Sequence, residues 1–288
     1  MKVGIIGAGR VGCALAFSLA DREIIISGIY SKKSDSAAFA SEKSGCLPES
    51  NLQGLVKKAD VIFITVPDSQ IMSVSEQISS LCSGADINGK VFLHCSGALT
   101  SEVLRHLDDK GGFTGSLHPI QTFSDRENTW KGMFNIYFGF EGSPEAGCAA
   151  SKIVGILDGQ LLMIKSETKP VYHAAACMLS NYTVTISHIA GKLLEMAGIK
   201  RDIGIKAFGP LLRNTVNNIM TMGSTAALTG PISRGDCYTV EGHLTAINIE
   251  NPEIEDLYKI LGRATVQLAL VKGSIGNDEA LAMLDILK

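Results

Sequence analysis

The chain has 288 residues, enough for two domains. With 45% hydrophobic and 19% charged residues it excludes disorder over most of its length. Lys and Arg number 26 against 29 Asp and Glu, a net charge of -3, too balanced for a protein that binds nucleic acid through its phosphates. Glycine is the excess residue, 30 in all or about 10% against a usual ~7%, and the places where it sits carry information.

The elements begin at once with an apolar strand at 2 to 7, so no signal peptide is expected. Apolar strands follow at 24 to 30, 61 to 66, 90 to 95, 114 to 118 and 134 to 140, with a last strand pattern at Leu161 to Ile164. Continuous apolar runs such as Val61-Ile62-Phe63-Ile64 suit strands covered on both faces, as in a parallel sheet. Helical patterns lie between them at 10 to 21, 35 to 43, 69 to 81 and 100 to 107. Another starts at Ser143-Pro144-Glu145, with Ser as cap and Pro as first helical residue. From Thr168 onward the pattern is helical, with a further start at Asn251-Pro252-Glu253. The charge-free run from Val171 to Gly191 holds nine Ser, Thr, Tyr, Asn and His residues. That is too polar for a membrane span, and it reads as a helix buried inside protein. The expected architecture is a doubly wound, mostly parallel α/β domain at 1–165 and an all-helical domain at 166–288.

Seven cysteines at 13, 46, 82, 95, 148, 177 and 237 form no CxxC pair. They read as reduced thiols in a cytoplasmic protein, and no metal site is expected.

The first strand runs into Gly7-Ala8-Gly9-Arg10-Val11-Gly12, a GxGxxG that opens a helix. Gly7 suits the tight turn, Gly9 lets backbone approach a pyrophosphate, and Gly12 allows helix to pack closely on strand. This is the pattern of a dinucleotide-binding Rossmann domain. An NAD site usually places Asp or Glu at the end of the second strand. Here Tyr30-Ser31-Lys32-Lys33 stands there, which suits a 2′-phosphate and points to NADP(H).

These residues, with Ala59 to Asp68, make the chain resemble a superfamily of NADP-dependent enzymes. It includes pyrroline-5-carboxylate reductase, prephenate dehydrogenase, the β-hydroxyacid dehydrogenases and deazaflavin-linked NADP oxidoreductases. Four further segments narrow the resemblance: Leu93 to Leu99, Leu117 to Phe123, Tyr172 to Ala176 and Leu228 to Asp236. In this order they resemble Rossmann-like proteins whose helical C-terminal domain long had no assigned function, some of them ketopantoate reductase-like. The resemblance implies that Val66, Pro67, Asp68, Ser96 and Gly97 lie along the cofactor. It also implies a homodimer formed through the helical domain.

Related β-hydroxyacid dehydrogenases carry a Lys and, four residues on, an Asn on the first helix of the second domain. In this chain Asn181 matches the Asn but Cys177 stands where the Lys is expected. His173, a further turn back, is then a candidate proton donor, with Asn181 orienting substrate, although both also suit satisfied polar groups in a buried helix. His118, in Leu117-His118-Pro119, follows a strand that ends at the ligand-binding edge and can donate a proton or bind a carboxylate. His94 reads as a packing residue. The loop from Thr229 to Asp236 interrupts helices with Gly and Pro, and Arg234 there is a candidate clamp for a substrate carboxylate, with Asp236 and His243 nearby. The expectation is an NADP(H)-dependent oxidoreductase that reduces a small keto or imino acid such as ketopantoate. The alternatives are a non-catalytic NADP(H) sensor or scaffold, or a deazaflavin-linked NADP reductase. No nucleic acid and no membrane are expected as partners.

Overall fold

The computed structural model describes residues 1–248 and 252–288. The elements of its first part run β1 (Lys2–Ile6), α1 (Arg10–Asp21), β2 (Ile25–Tyr30), α2 (Ser34–Ser44), α3 (Leu52–Lys58), β3 (Val61–Ile64) and α4 (Asp68–Leu81). They continue with α5 (Gly84–Ile87), β4 (Val91–His94), α6 (Arg105–Asp108), β5 (Phe113–Pro119), β6 (Tyr137–Gly142), α7 (Pro144–Ile156), β7 (Gln160–Met163) and α8 (Lys169–Cys177). A π-helical turn, Met178–Tyr182, leads to α9 (Thr183–Met196), α10 (Arg201–Ala227), α11 (Cys237–Asn248), α12 (Pro252–Lys272) and α13 (Asn277–Ile286). The helix start expected at Asn251 lies outside the described residues.

The strands form one sheet in the order β2-β1-β3-β4-β5-β6-β7, parallel from β2 to β5, with β6 antiparallel to β5 and β7 parallel to β6. A rudimentary extra strand lies beside β2, reduced to one parallel bridge between Ile29 and Pro48. Proline has no N–H to continue a ladder, so the pairing stops there. With that bridge counted, the order around β1 is that of the doubly wound dinucleotide-binding sheet, and the crevice falls between β1 and β3.

Alternate residues of the central strands feed two apolar layers. Val3, Ile5, Phe63 and Leu93 pack with Leu15, Phe17, Ala146 and Ile153 on the side of α1 and α7. Ile6, Ile62, Ile64 and Phe92 pack with Leu55, Ile71, Ile78 and Leu107 on the side of α3, α4 and α6. All four residues of Val61–Ile64 are buried, as the unbroken apolar run predicts. Ser143 caps α7 through a bond from the Ala146 amide, and Pro144 is its first residue. The helix expected at 100 to 107 is instead a 3-10 turn, Ser101–Leu104, followed by the single turn of α6. The strand expected from 134 starts later, because Asn135 adopts a left-handed conformation (φ 57°) and breaks the extended run.

By contacts the chain divides into two units, Met1–Asn181 and Tyr182–Lys288. Residues 166–181 therefore cluster with the first unit rather than the second. In the second unit Val240 and Leu244 of α11, Val266 and Ala269 of α12, and Ala280 and Met283 of α13 form one core. The charge-free run does not form the buried helix its composition suggests. It is broken by the π-helical turn, and Val171, Leu179 and Val184 are 72%, 81% and 70% exposed. Composition reports that a segment needs cover, not that its own chain supplies it.

Candidate functional site

The turn between β1 and α1 owes its shape to glycine. Gly7 has a φ of 105°, which L side chains rarely adopt, and its amide donates to the Tyr30 carbonyl at 2.8 Å. A Cβ on Gly12 would overlap the Gly7 carbonyl oxygen and the Thr65 hydroxyl. That hydroxyl donates to the Gly7 oxygen at 2.6 Å and fastens the turn to the end of β3. A Cβ on Gly9 would meet nothing closer than 4.0 Å, so this face of the turn stands open. No side chain caps α1 and no acid stands in its first turn, which leaves its leading N–H groups for an anion.

The open face belongs to a cleft of about 720 Å³. Gly7, Ala8, Gly9 and Arg10 line it together with Tyr30, Ser31, Lys32 and Lys33 from the end of β2 and Val66 and Pro67 from the end of β3. Val11 and Gly12 lie behind the turn, outside the lining. Arg126, from the loop after β5, also lines the cleft; its guanidinium donates to the Ser36 hydroxyl at 3.2 Å and lies over the Phe39 ring. In the sequence, Ser124-Asp125-Arg126-Glu127-Asn128 has the composition of an ordinary polar loop and gives Arg126 no signal. Four cations (Arg10, Lys32, Lys33 and Arg126) and no carboxylate among the described lining residues fit a dinucleotide carrying an extra phosphate.

A second cluster lies at the carboxyl ends of β3, β4 and β5. Asp68 opens α4 and accepts from the Ser96 hydroxyl at 2.6 Å, while the Ser96 oxygen receives the amides of Ala98 and Leu99. This fixes the loop that carries Gly97. His94 is fully buried; its Nε2 faces the Thr100 carbonyl at 3.1 Å and its Nδ1 accepts from the Ser96 amide. Burial first, and then the charge of Lys169, lowers its pKa to about 4. His94 is thus a neutral structural residue.

His118, near the end of β5, and His173, on α8, face each other with ring centroids 5.9 Å apart. A Cβ on Gly97 would collide with His173 Nδ1 and lie 3.0 Å from His118 Nε2, so both rings converge on the position a larger residue would fill. His118 Nδ1 is 2.7 Å from the Tyr172 hydroxyl. Burial, then His173, then Lys169 bring the His118 pKa down to about 4, and burial raises that of Tyr172 to about 12. His173 Nε2 is 3.6 Å from the Cys177 thiol, while its buried Nδ1 has no partner among the described residues. A π-helical turn, Met178–Tyr182, follows Cys177 and contains Asn181.

A different lysine stands two turns before Cys177. Lys169 opens α8, is 2% exposed, and pairs with Glu141 of β6 at 3.7 Å. Glu141 also accepts from the amide and hydroxyl of Ser101 and from the Ser166 hydroxyl. Burial outweighs the pull of Glu141 and lowers the Lys169 pKa to about 8. Its signal in the sequence was slight, a lone lysine before a proline at the start of a charge-free run.

In the second unit Arg234 is exposed on a 3-10 turn, Ile232–Arg234, that ends at Gly235. Asp236 accepts from the amide and hydroxyl of Thr239, at 3.1 and 2.7 Å, as a helix cap for α11. His243 Nδ1 is 2.7 Å from the Tyr258 hydroxyl, beside an apolar cavity of about 570 Å³. Among the described residues no group of three or more His, Cys, Asp or Glu is arranged for a metal, and no helix is long and apolar enough to cross a membrane.

Residues 1–119 match the Rossmann-like domain family, and residues 136–265 match a domain of unknown function, DUF2520. No curated protein matches the chain. Among solved structures, a protein from Thermotoga maritima is 25% identical with a TM-score of 0.73, over 94% of this chain and 99% of that one. A protein from Bacteroides fragilis, provisionally assigned as an NADP oxidoreductase, is 23% identical with a TM-score of 0.73, over 92% and 98%. The pyrroline carboxylate reductase of Plasmodium falciparum, solved with NADP bound, is 17% identical with a TM-score of 0.59, over 99% and 98%.

Proposed function

We propose that this protein is an NADP(H)-dependent oxidoreductase that reduces a small keto or imino acid, ketopantoate-like in kind. The observation that carries this is a single cleft in which an uncapped helix start, an open glycine face and four cations meet. The NADP oxidoreductase from Bacteroides and the NADP-bound reductase from Plasmodium, which share the fold, support the same reading. The leading amides of α1 take the pyrophosphate, and Ser31, Lys32, Lys33 and Arg126 take the ribose phosphate. The cofactor, when bound, supplies hydride. His118, His173 and Lys169, at the ends of the same strands and on α8, hold and position protons near Gly97.

Two measurements test this. Calorimetric titration is expected to show NADPH binding more tightly than NADH, and Arg126→Ala is expected to weaken NADPH by about tenfold while leaving NADH within twofold. Tighter NADH binding in the wild type would end the assignment. Turnover across a panel of keto acids and imines distinguishes an enzyme from a sensor, which would bind NADPH and consume none. Hydride exchange with a deazaflavin and with no acid substrate would favour the third reading.

The reading includes a homodimer in the cytoplasm. Free cysteines throughout suit a reducing compartment. On α10, Leu211, Leu212, Val216, Ile219 and Met220 are all exposed, Met220 at 80%, far beyond what one surface helix leaves to water. A second copy offering the same helix covers this apolar surface by two-fold symmetry. Sedimentation velocity is expected to find a dimer that Leu211→Glu with Met220→Glu converts to monomer; a monomeric wild type at micromolar concentration would remove the proposal.

A further inference from the structure

The Tyr172–His118 contact fixes more than a distance. The Tyr172 hydroxyl has one partner among the described residues, His118 Nδ1. If the imidazole donated, the phenol proton would be left without an acceptor. If the phenol donates, only an oxygen lone pair goes unused, which costs less. The stronger acid then also faces the stronger base. The ring is placed from both sides by missing side chains: a Cβ on Gly139 would strike the Tyr172 hydroxyl, and one on Gly97 would crowd His118.

We propose that Tyr172 is a positioning residue that holds His118 as a neutral imidazole, its Nε2–H directed at the space beside Gly97, and that this donor serves a carbonyl oxygen rather than an iminium nitrogen. An N–H donor opposes the N–H of an iminium but matches an oxygen that gains negative charge as it is reduced. The charged and titratable groups facing His118 agree. Lys169, His173 and Tyr172 face it from α8 and Asp68 faces it from α4, so an iminium would add a cation beside the Lys169 ammonium. This rests on the reductase reading above and narrows its two substrate classes to one.

The test uses the full chain labelled with 15N-histidine and read by NMR. The wild type is expected to show His118 as a single Nε2–H tautomer, unchanged from about pH 8 to about pH 5.5. Tyr172→Phe is expected to mix the tautomers while NADP+ affinity stays within twofold. Gly139→Ala, which displaces the hydroxyl, is expected to do the same if the first variant folds poorly. With NADP+ present, 2-oxoisovalerate is expected to shift the His118 Nε2–H signal and 2-methyl-1-pyrroline to leave it in place. A His118 that takes up a proton near its ordinary pKa, or rests as the Nδ1–H form, overturns the role given to Tyr172. A shift with the pyrroline alone, or with neither compound, overturns the carbonyl assignment. The expected tautomer with no NADP+ binding would overturn the reductase reading and the carbonyl assignment, and leave the Tyr172 role standing.

Discussion

Replacing Lys169 with methionine is expected to destabilise the protein by about 3–5 kcal/mol, the usual effect of removing one partner from a buried ion pair. Methionine keeps most of the side-chain volume, so the loss is not a cavity. It comes from Glu141, which is 7% exposed and would face the interior without a counter-ion. The Ser101 amide and the Ser101 and Ser166 hydroxyls still donate to it, which places the loss toward the lower end of that range. Removing both charges, as Lys169→Met with Glu141→Leu, is expected to restore much of the stability, because the desolvation cost of the pair goes with its attraction. Urea unfolding of the two single variants and the double variant measures this. If the double variant is as unstable as the sum of the singles, the two side chains do not act as a pair. Activity separates the other role: a proton-holding Lys169 predicts that the refolded double variant stays inactive.

The sequence made the sheet legible because its strands are buried on both faces and read as unbroken apolar runs. It made the glycine turn legible because Gly7 and Gly12 each stand where backbone lies too close for a side chain. Lys169, Tyr172 and Arg126 were harder to see. Each depends on a partner distant in sequence: Glu141 lies 28 residues before Lys169, and Ser36 lies 90 before Arg126. No periodicity connects such pairs; only the sheet does, by bringing the ends of β4, β5 and β6 together. Lys169 lies twelve residues before Asn181, outside the four-residue spacing that the resemblance implies, so that spacing does not point to it. The exposed α8–α9 run shows the same limit in reverse, since its apolar residues announce burial without naming the surface that provides it.

Stability is expected to fall as pH drops from about 6.5 to about 4, by roughly 3 kcal/mol for each of two histidines at ~1.4 kcal/mol per pKa unit. The sign follows from proton uptake. His94 and His118 have folded pKa values near 4 against an ordinary 6.5, so in this window the unfolded chain binds more protons than the folded one. Stability therefore is fully present above the ordinary histidine pKa and lost as pH falls through the folded values. Other groups act elsewhere. Asp86, Asp125, Asp236 and Asp285 have carboxyl pKa values held below 3.8 by hydrogen bonds, so their contribution disappears only in stronger acid. Lys169, lowered to about 8 from 10.5, makes stability rise with pH between those two values. Urea unfolding at several pH values between about 4.5 and 7.5 isolates the histidine window. His94→Gln keeps a donor for the Thr100 carbonyl and removes one titration, so its stability is expected to fall with about half the wild-type slope. Equal slopes for wild type and variant would mean that the buried His94 is not kept neutral by the fold.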